Sequence, residues 1–207
     1  MKLKHRGKNE PTLFLPRILF LAVFFVAGTF LGQVFARRVS VVVGQELTEY
    51  LKQYILTEHE HSVQMVLSAV VLYLRDPFLA VLFGFASIGV LLIPGMTVLF
   101  GFLVSFSVSC FVAAFGMEGV FLSLAAYGIR CVVTLPCYFL LAVPALENAV
   151  VLARLSFGRR QHGMALRLGR SWWMRLLICL VILLLGVCVD FMISPLLLQW
   201  GMEQFLI

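Results

Sequence analysis

The sequence predicts an all-α, polytopic integral membrane helical bundle with five transmembrane helices. Hydrophobic residues make up 62% of the chain and charged residues only 13%, and the mean hydropathy is +1.03. Between Pro77 and Ala153, the ionisable side chains other than Cys and Tyr are Glu118, Arg130 and Glu147. A lipid bilayer admits helices or closed barrels, because backbone groups must be satisfied internally. The apolar runs here are continuous rather than alternating, which favours helices.

The first predicted span is Leu15–Phe35. A basic N-terminus, an apolar run and a small-residue site at Val34–Ala36 together resemble a secretory signal peptide. The apolar run Ile18–Phe35 is longer than the about 7–15 residues of a signal core. We therefore expect an uncleaved first span.

The second and third predicted spans are Phe78–Ile93 and Val98–Phe115. Between them lies Pro94–Thr97, whose proline–glycine pair is typical of a turn. These two spans are therefore predicted to form a tight helical hairpin.

The fourth predicted segment, Gly119–Ala153, is too long for one simple span. As a single helix it measures roughly 52 Å at 1.5 Å per residue, against a hydrocarbon core of about 30 Å. Gly128, Pro136 and Pro144 are candidate places for a break or kink. We expect a re-entrant or interfacial half-helix first, followed by a span at about 130–153.

The fifth predicted span is Leu176–Leu197, and the basic residues determine the orientation of the bundle. They concentrate in the N-terminal segment, up to the start of the first span, and in the loop 154–175, at Lys2, Lys4, Arg6, Lys8, Arg17, Arg154, Arg159, Arg160, Arg167, Arg170 and Arg175. Five spans place both segments on one side, which the positive-inside rule makes the cytoplasm. Residues 37–76 and the C-terminus are then extracytoplasmic. Since topology accounts for the net charge of +6, we expect no nucleic-acid partner.

The extracytoplasmic segment contains a predicted amphipathic helix. Its apolar residues recur at helical spacing, at Leu47, Tyr50, Leu51, Tyr54 and Ile55. Such a helix lies flat on the outer leaflet or presents a face to a partner protein. A second apolar run, Val63–Leu74, is too short to span and is predicted to stop at Arg75–Pro77.

No motif in the sequence predicts an enzyme or a metal site. His59 and His61 are two residues apart, whereas zinc-binding helices space their ligands by four. The five cysteines lie in or beside apolar runs, as small hydrophobic residues do in helices. No nucleophile–base pair, phosphate-binding loop or paired carboxylates occur. We expect a non-enzymatic protein without a cofactor.

Charged residues inside the predicted spans require partners, because an intramembrane charge costs about 2.5–3.5 kcal/mol or more. Depth along the helices suggests a pair between Arg130 and Asp190 in the outer half, and one between Glu147 and Arg17 near the inner end. A proton or ion pathway is one interpretation of these charges. We favour the other, polar contacts that hold helices together, because charges at two depths do not make a relay.

Small residues predict close helix contacts within the bundle or between copies of the chain. Gly28 and Gly32 form a GxxxG pair in the first span, and Gly101, Ser105 and Ser109 form a small stripe in the third. A homo-oligomer is therefore one possible arrangement.

Several local motifs occur in an order that points to a known family. They are Phe25–Gly28 with Gly32, Gly84–Val108 including Gly89–Pro94, Gly116–Ser123, and Ile193–Leu197. In length, span order and these motifs the chain resembles the stage II sporulation protein M family of bacterial membrane proteins. It departs from the family at Tyr127–Arg130, where members often have Leu-Pro followed by a polar pair.

The resemblance implies a non-enzymatic scaffold in the septal or engulfing mother-cell membrane during endospore formation. Such proteins hold peptidoglycan hydrolases, the stage II sporulation proteins D and P, and remodel peptidoglycan through them. The outward amphipathic face would then be the docking surface. The alternative is a membrane component of a transporter or permease-like complex, with the fourth segment lining a path.

Overall fold

The computed structural model describes residues 11–56, 63–156 and 170–205, which are helical except for short turns at 84–88 and 116–117. In chain order the elements are α1 (Pro11–Leu56), α2 (Val63–Phe83), α3 (Gly89–Phe115), α4 (Glu118–Ser123), a π-helical segment (Leu124–Gly128), α5 (Ile129–Ser156) and α6 (Arg170–Phe205). The predicted all-helical class is confirmed.

Four helices in the described part of the chain are long and apolar enough to cross a membrane. They are Leu15–Arg38, Gly89–Ala113, Ile129–Ser156 and Trp172–Ile193. Large apolar side chains cover their outer faces, and Leu91 and Val132 are 75% and 74% exposed. Lipid tails solvate such faces as well as a protein core does. The chain is therefore a multi-pass membrane protein.

The predicted turn at Pro94–Thr97 is wrong, and with it the predicted second span Phe78–Ile93. Pro94 lies inside α3, and the chain reverses instead between Phe83 and Gly89. Consecutive short-range hydrogen bonds make this turn, among them Ala86 N–H to the Phe83 carbonyl at 3.1 Å. A Cβ on Gly89 would lie 1.9 Å from the Phe83 carbonyl oxygen, so this tight turn requires glycine.

The predicted stop at Arg75–Pro77 is also wrong, because α2 continues through it to Phe83. Tyr73 and Ala80, on either side of the stop, are almost completely buried. Neighbouring helices make a proline inside a membrane helix tolerable. Residues 63–76 therefore belong to the same helix as the buried Ala80.

The part of the predicted extracytoplasmic segment before residue 57 continues α1 as one helix of 46 residues. Residues 57–62, which include His59 and His61, lie outside the described residues, as do 157–169 of the predicted basic loop.

Contacts between side chains show how the helices are directed. Phe25 and Phe139 lie 6.1 Å apart and Arg17 contacts Glu147, so α1 and α5 are antiparallel. Phe85 lies 5.7 Å from Trp172, which puts the end of α2 beside the start of α6.

The remaining directions follow from other contacts. Gly28 faces Val98 and Gly32 faces Phe102, so α1 and α3 are parallel. Tyr73 of α2 lies beside Asp190, near the other end of α6 from Trp172, so α6 is antiparallel to α2. Val133 and Cys137 of α5 lie beside Gly186 and Cys179 of α6, so α5 and α6 are antiparallel as well. Successive long helices therefore alternate in direction through the bundle.

Helix α5 lies at the centre of the bundle, between two apolar cores. One core joins α5 to α1, α2 and α3 around Leu21, Ile93 and Val143. The other joins it to α2 and α6 around Cys137 and Leu183. Half of the apolar window of α5 is buried, more than in any other candidate span.

The predicted small residues lie where α1 meets α3. A Cβ on Gly28 would be 2.1 Å from the Val98 carbonyl oxygen, and one on Gly101 would be 2.4 Å from that of Phe25. Gly32 approaches the backbone of Phe102 and the Cβ of Ser105 in the same way. Ser109 is half-buried further along α3. These glycines therefore make a contact within one chain.

The predicted fourth segment passes from α4 through the π-helical segment into α5 without a turn. Pro136 and Pro144 both lie inside α5. The π-helical segment from Leu124 to Gly128 ends at Gly128, the first of the predicted places for a break. Such segments are rare and frequent at functional sites. A kink at this place stays a prediction.

Gly28→Ala is expected to lower the free energy of unfolding by about 1–3 kcal/mol, because the new methyl group must push two backbones apart. Thermal unfolding of the detergent-solubilised protein measures this. Gly95→Ala is the matched control, since nothing lies within 4 Å of a Cβ there. Equal losses in both variants would contradict the packing of α1 on α3.

Candidate functional site

A polar cavity lies between α2, α3 and the joint of the π-helical segment with α5. Its volume is about 190 Å³. Apolar atoms form most of its wall, and charged and hydroxyl groups line the rest. The lining residues are Leu72, Arg75, Asp76, Phe100, Leu103, Val104, Ser107, Tyr127, Arg130, Cys131 and Thr134. In a bundle whose outer faces are apolar, such a concentration of polar groups marks a candidate binding site.

Arg130 enters the cavity from the first turn of α5. Its Nη2 donates a hydrogen bond of 2.9 Å to the Leu72 carbonyl oxygen. Its guanidinium carbon lies 5.6 Å from the centre of the Tyr73 ring, within range of a cation–π contact. The charge is thus held against α2 by a backbone carbonyl and an aromatic face.

Within the described residues, no ion pair joins Arg130 to Asp190, the partner that depth along the helices suggested. Tyr73 of α2 lies beside both residues. Its hydroxyl and Asp190 Oδ1 are buried close together without the geometry of a hydrogen bond. Arg130 and Asp190 therefore each lie beside the Tyr73 side chain instead of contacting one another directly.

Asp76 is the functional candidate that sequence reasoning missed. It is 6% exposed and accepts a hydrogen bond of 3.0 Å from Arg75 Nε. Arg75 itself is about half-exposed at the edge of the cavity. The signal was present in the sequence, since apolar residues continue on both sides of Arg75–Pro77, as in an unbroken helix.

Thr134 adds a buried hydroxyl one turn below Arg130. The residue is 2% exposed, and its Oγ1 has no hydrogen-bond partner within the described residues. A buried hydroxyl without a partner is costly, and this one lines the cavity. It is therefore available to a bound molecule.

A second polar contact lies deeper in the bundle, between Thr97 of α3 and Tyr138 of α5. Both residues are fully buried, and their hydroxyl oxygens are 2.9 Å apart. Thr97 Oγ1 also donates to the Ile93 carbonyl oxygen at 2.8 Å. This contact joins α3 to the central helix below the cavity.

Arg17 and Glu147 meet at the opposite end of the bundle from Arg130. Arg17 Nη1 donates to Glu147 Oε1, so the start of α1 is tied to the end of α5. The side chain of Glu147 is largely buried, whereas that of Arg17 is partly exposed. This contact holds helices α1 and α5 together.

The five residues of the predicted partner face all lie within the helical backbone of α1. Their side chains fall outside the described part of the structure. They are Leu47, Tyr50, Leu51, Tyr54 and Ile55. No group of His, Cys, Asp and Glu within the described residues has an arrangement that would hold a metal ion.

Comparison with models of protein families, with curated proteins and with solved structures finds no match to the chain. The arguments for function therefore come from the bundle, its cavity and its sequence motifs.

Arg17→Gln is expected to lower the free energy of unfolding by about 1–3 kcal/mol, because it removes the charge-assisted hydrogen bond from Arg17 to the mostly buried Glu147 carboxylate. The double variant Arg17→Gln/Glu147→Gln should cost less than the two single changes added together. Chemical unfolding in detergent measures both. Arg175→Gln, exposed on α6, is the control. Strictly additive losses would contradict the attachment.

Proposed function

We propose that the protein is a five-pass, non-enzymatic membrane scaffold that localises peptidoglycan hydrolases. The observation that carries this proposal is the length of α1. Its apolar window ends at Arg38, but the helix continues to Leu56. At 1.5 Å per residue this continuation reaches roughly 27 Å beyond the window. A rigid arm of that length is suited to holding a partner above the membrane.

The chemistry of the arm supports a protein partner. Its apolar positions repeat at i, i+3, i+4, i+7 and i+8 between Leu47 and Ile55, which places them on one side of the helix. Glu46 precedes them, and Glu49 and Lys52 lie between them. An apolar stripe bordered by charges is the pattern of a helix that docks into a groove or onto a second helix.

The five-pass topology takes α2 as the second span, together with the four candidate spans. The alternating helix directions support this count. The N-terminal basic segment and the basic segment after α5 then share the cytoplasmic side. The arm of α1 and the C-terminus lie outside the membrane on the other side, where peptidoglycan is found.

The resemblance to the stage II sporulation protein M family supplies the partner class. On that basis the arm holds the stage II sporulation proteins D and P, which degrade peptidoglycan, in the septal or engulfing mother-cell membrane. The chain itself supplies position rather than catalysis.

The topology is tested by fusing reporters after Met1 and after Ile207. A fusion active only in the cytoplasm should work at the N-terminus, and one active only outside should work at the C-terminus. A reporter inserted directly after Leu56 should report the outer side. Reporters on the same side at both termini would overturn the odd number of passes.

Changing Tyr50, Leu51, Tyr54 and Ile55 together to Ser is expected to reduce co-purification of the hydrolases at least about tenfold, because it removes the apolar stripe. Glu49→Ser and Lys52→Ser form the control, since they alter the intervening positions. Both proteins should still reach the membrane fraction. Undiminished co-purification with the four-residue variant would contradict docking on this face.

A transporter or permease-like component is the second candidate, and the polar cavity with the Thr97–Tyr138 contact beneath it favours this function. Proteoliposomes with entrapped pyranine report proton movement when valinomycin sets a potassium diffusion potential. Proton flux that Asp76→Asn abolishes would favour transport. Flux equal to that of empty liposomes, together with hydrolase co-purification, would favour the scaffold.

A further inference from the structure

The polar cavity opens toward the membrane-facing surface of the bundle. Leu72 of α2 and Leu103 of α3 both line it, and they are 41% and 39% exposed. Arg75 lies half-exposed beside them. A molecule in the surrounding lipid therefore reaches the cavity from the side, between α2 and α3.

The cavity lies near one end of the bundle. Arg130 is close to Tyr73, and Tyr73 is beside Asp190 of α6. Asp190 follows Trp172 by about 18 residues, which is roughly 27 Å along a helix. Because the hydrocarbon core is about 30 Å thick, Arg130 lies close to the headgroup zone opposite Trp172. Lipid phosphate groups occupy that zone.

Two guanidinium groups in the cavity have donors to spare. Arg130 has one described hydrogen bond, through Nη2 to a carbonyl, and Arg75 has one, through Nε to Asp76. Each guanidinium carries five N–H donors in a planar fork that matches phosphate oxygens. The unpartnered hydroxyl of Thr134 and the half-buried Ser107 lie in the same cavity.

The charges that line the cavity favour an anion. They are two arginines against one carboxylate, Asp76, which already accepts from Arg75. The second nearby carboxylate, Asp190, does not line the cavity and is reached across Tyr73. A cation in the cavity would meet two guanidinium groups and one carboxylate that is already paired.

We infer that the cavity binds a phosphate group, presented by a membrane lipid whose acyl chains lie along Leu72 and Leu103. Arg130 and Arg75 contact the phosphate oxygens, and the hydroxyls of Thr134 and Ser107 donate to the same group. This site is separate from the proposed docking arm of α1 and needs only that the bundle lies in a membrane.

Isothermal titration of the full chain in a neutral detergent tests the inference with three probes. They are dioctanoyl phosphatidic acid, dioctanoylglycerol and inorganic phosphate. Phosphatidic acid is expected to bind, and dioctanoylglycerol, which has the same chains without phosphate, is not. If inorganic phosphate binds as tightly as phosphatidic acid, the cavity is a phosphate site, but the inference that a lipid supplies the phosphate is overturned. Equal binding of the two lipids, or none by phosphatidic acid or phosphate, would overturn the site.

Variants locate the binding. Arg130→Gln and Arg75→Gln are each expected to weaken phosphatidic acid binding about tenfold or more, as the loss of a charge-assisted hydrogen bond does. Arg37→Gln, an exposed arginine of α1 outside the cavity, should leave binding unchanged. Equal weakening by Arg37→Gln would show general charge attraction and overturn the site.

A further variant covers the case in which Arg130→Gln does not fold. Leu103→Trp fills the mouth of the cavity from an exposed position and should abolish binding without altering the thermal unfolding of the bundle. Retained binding in a folded Leu103→Trp protein would overturn the inference.

Discussion

Surrounding lipid forces the charged groups of this bundle to find partners on the protein. Arg17 contacts Glu147, Arg75 contacts Asp76, and Arg130 donates to a backbone carbonyl of α2. In hydrocarbon each of these charges would cost about 2.5–3.5 kcal/mol or more without such contacts. The helices consequently keep these charged groups against protein, while apolar side chains cover the outer faces and also form the two cores. The polar cavity is a result of the same constraint.

Two different kinds of packing hold that arrangement together. Helices α1 and α3 approach so closely that backbone contacts backbone at Gly28 and Gly101. Helix α5 packs through a mixture of small and large side chains, from Ala145 to Tyr138, and belongs to both apolar cores. Arg17 and Glu147 also connect α1 to α5. The apolar part of α1 is therefore held in one position against α3 and α5. The arm of α1 can hold a partner at a constant distance from the membrane only if the apolar part of the same helix is held in one position.

The cavity and the arm of α1 are at the same end of the bundle. The arm continues from the end of the α1 span that lies opposite Arg17, and Arg130 lies at the end of α5 opposite Glu147, the partner of Arg17. Scaffolding through the arm and phosphate binding in the cavity are thus compatible in one molecule. A lipid seated between α2 and α3 would occupy the cavity that these two helices line.

The amino-acid sequence alone establishes that this is a helical membrane protein, because lipid leaves so few ways to satisfy a continuous apolar backbone. It also indicates the close glycine contacts and the meeting of Arg17 with Glu147, since both follow from spacing and depth. The helix boundaries around Arg75–Pro77 and Pro94 depend instead on packing between helices. A proline disrupts an isolated helix. Packing against neighbouring helices keeps α2 helical through Pro77 and α3 helical through Pro94. Only the folded bundle then brings Asp76, Thr134 and Arg130 from separate parts of the chain into one cavity, a juxtaposition that no local pattern records.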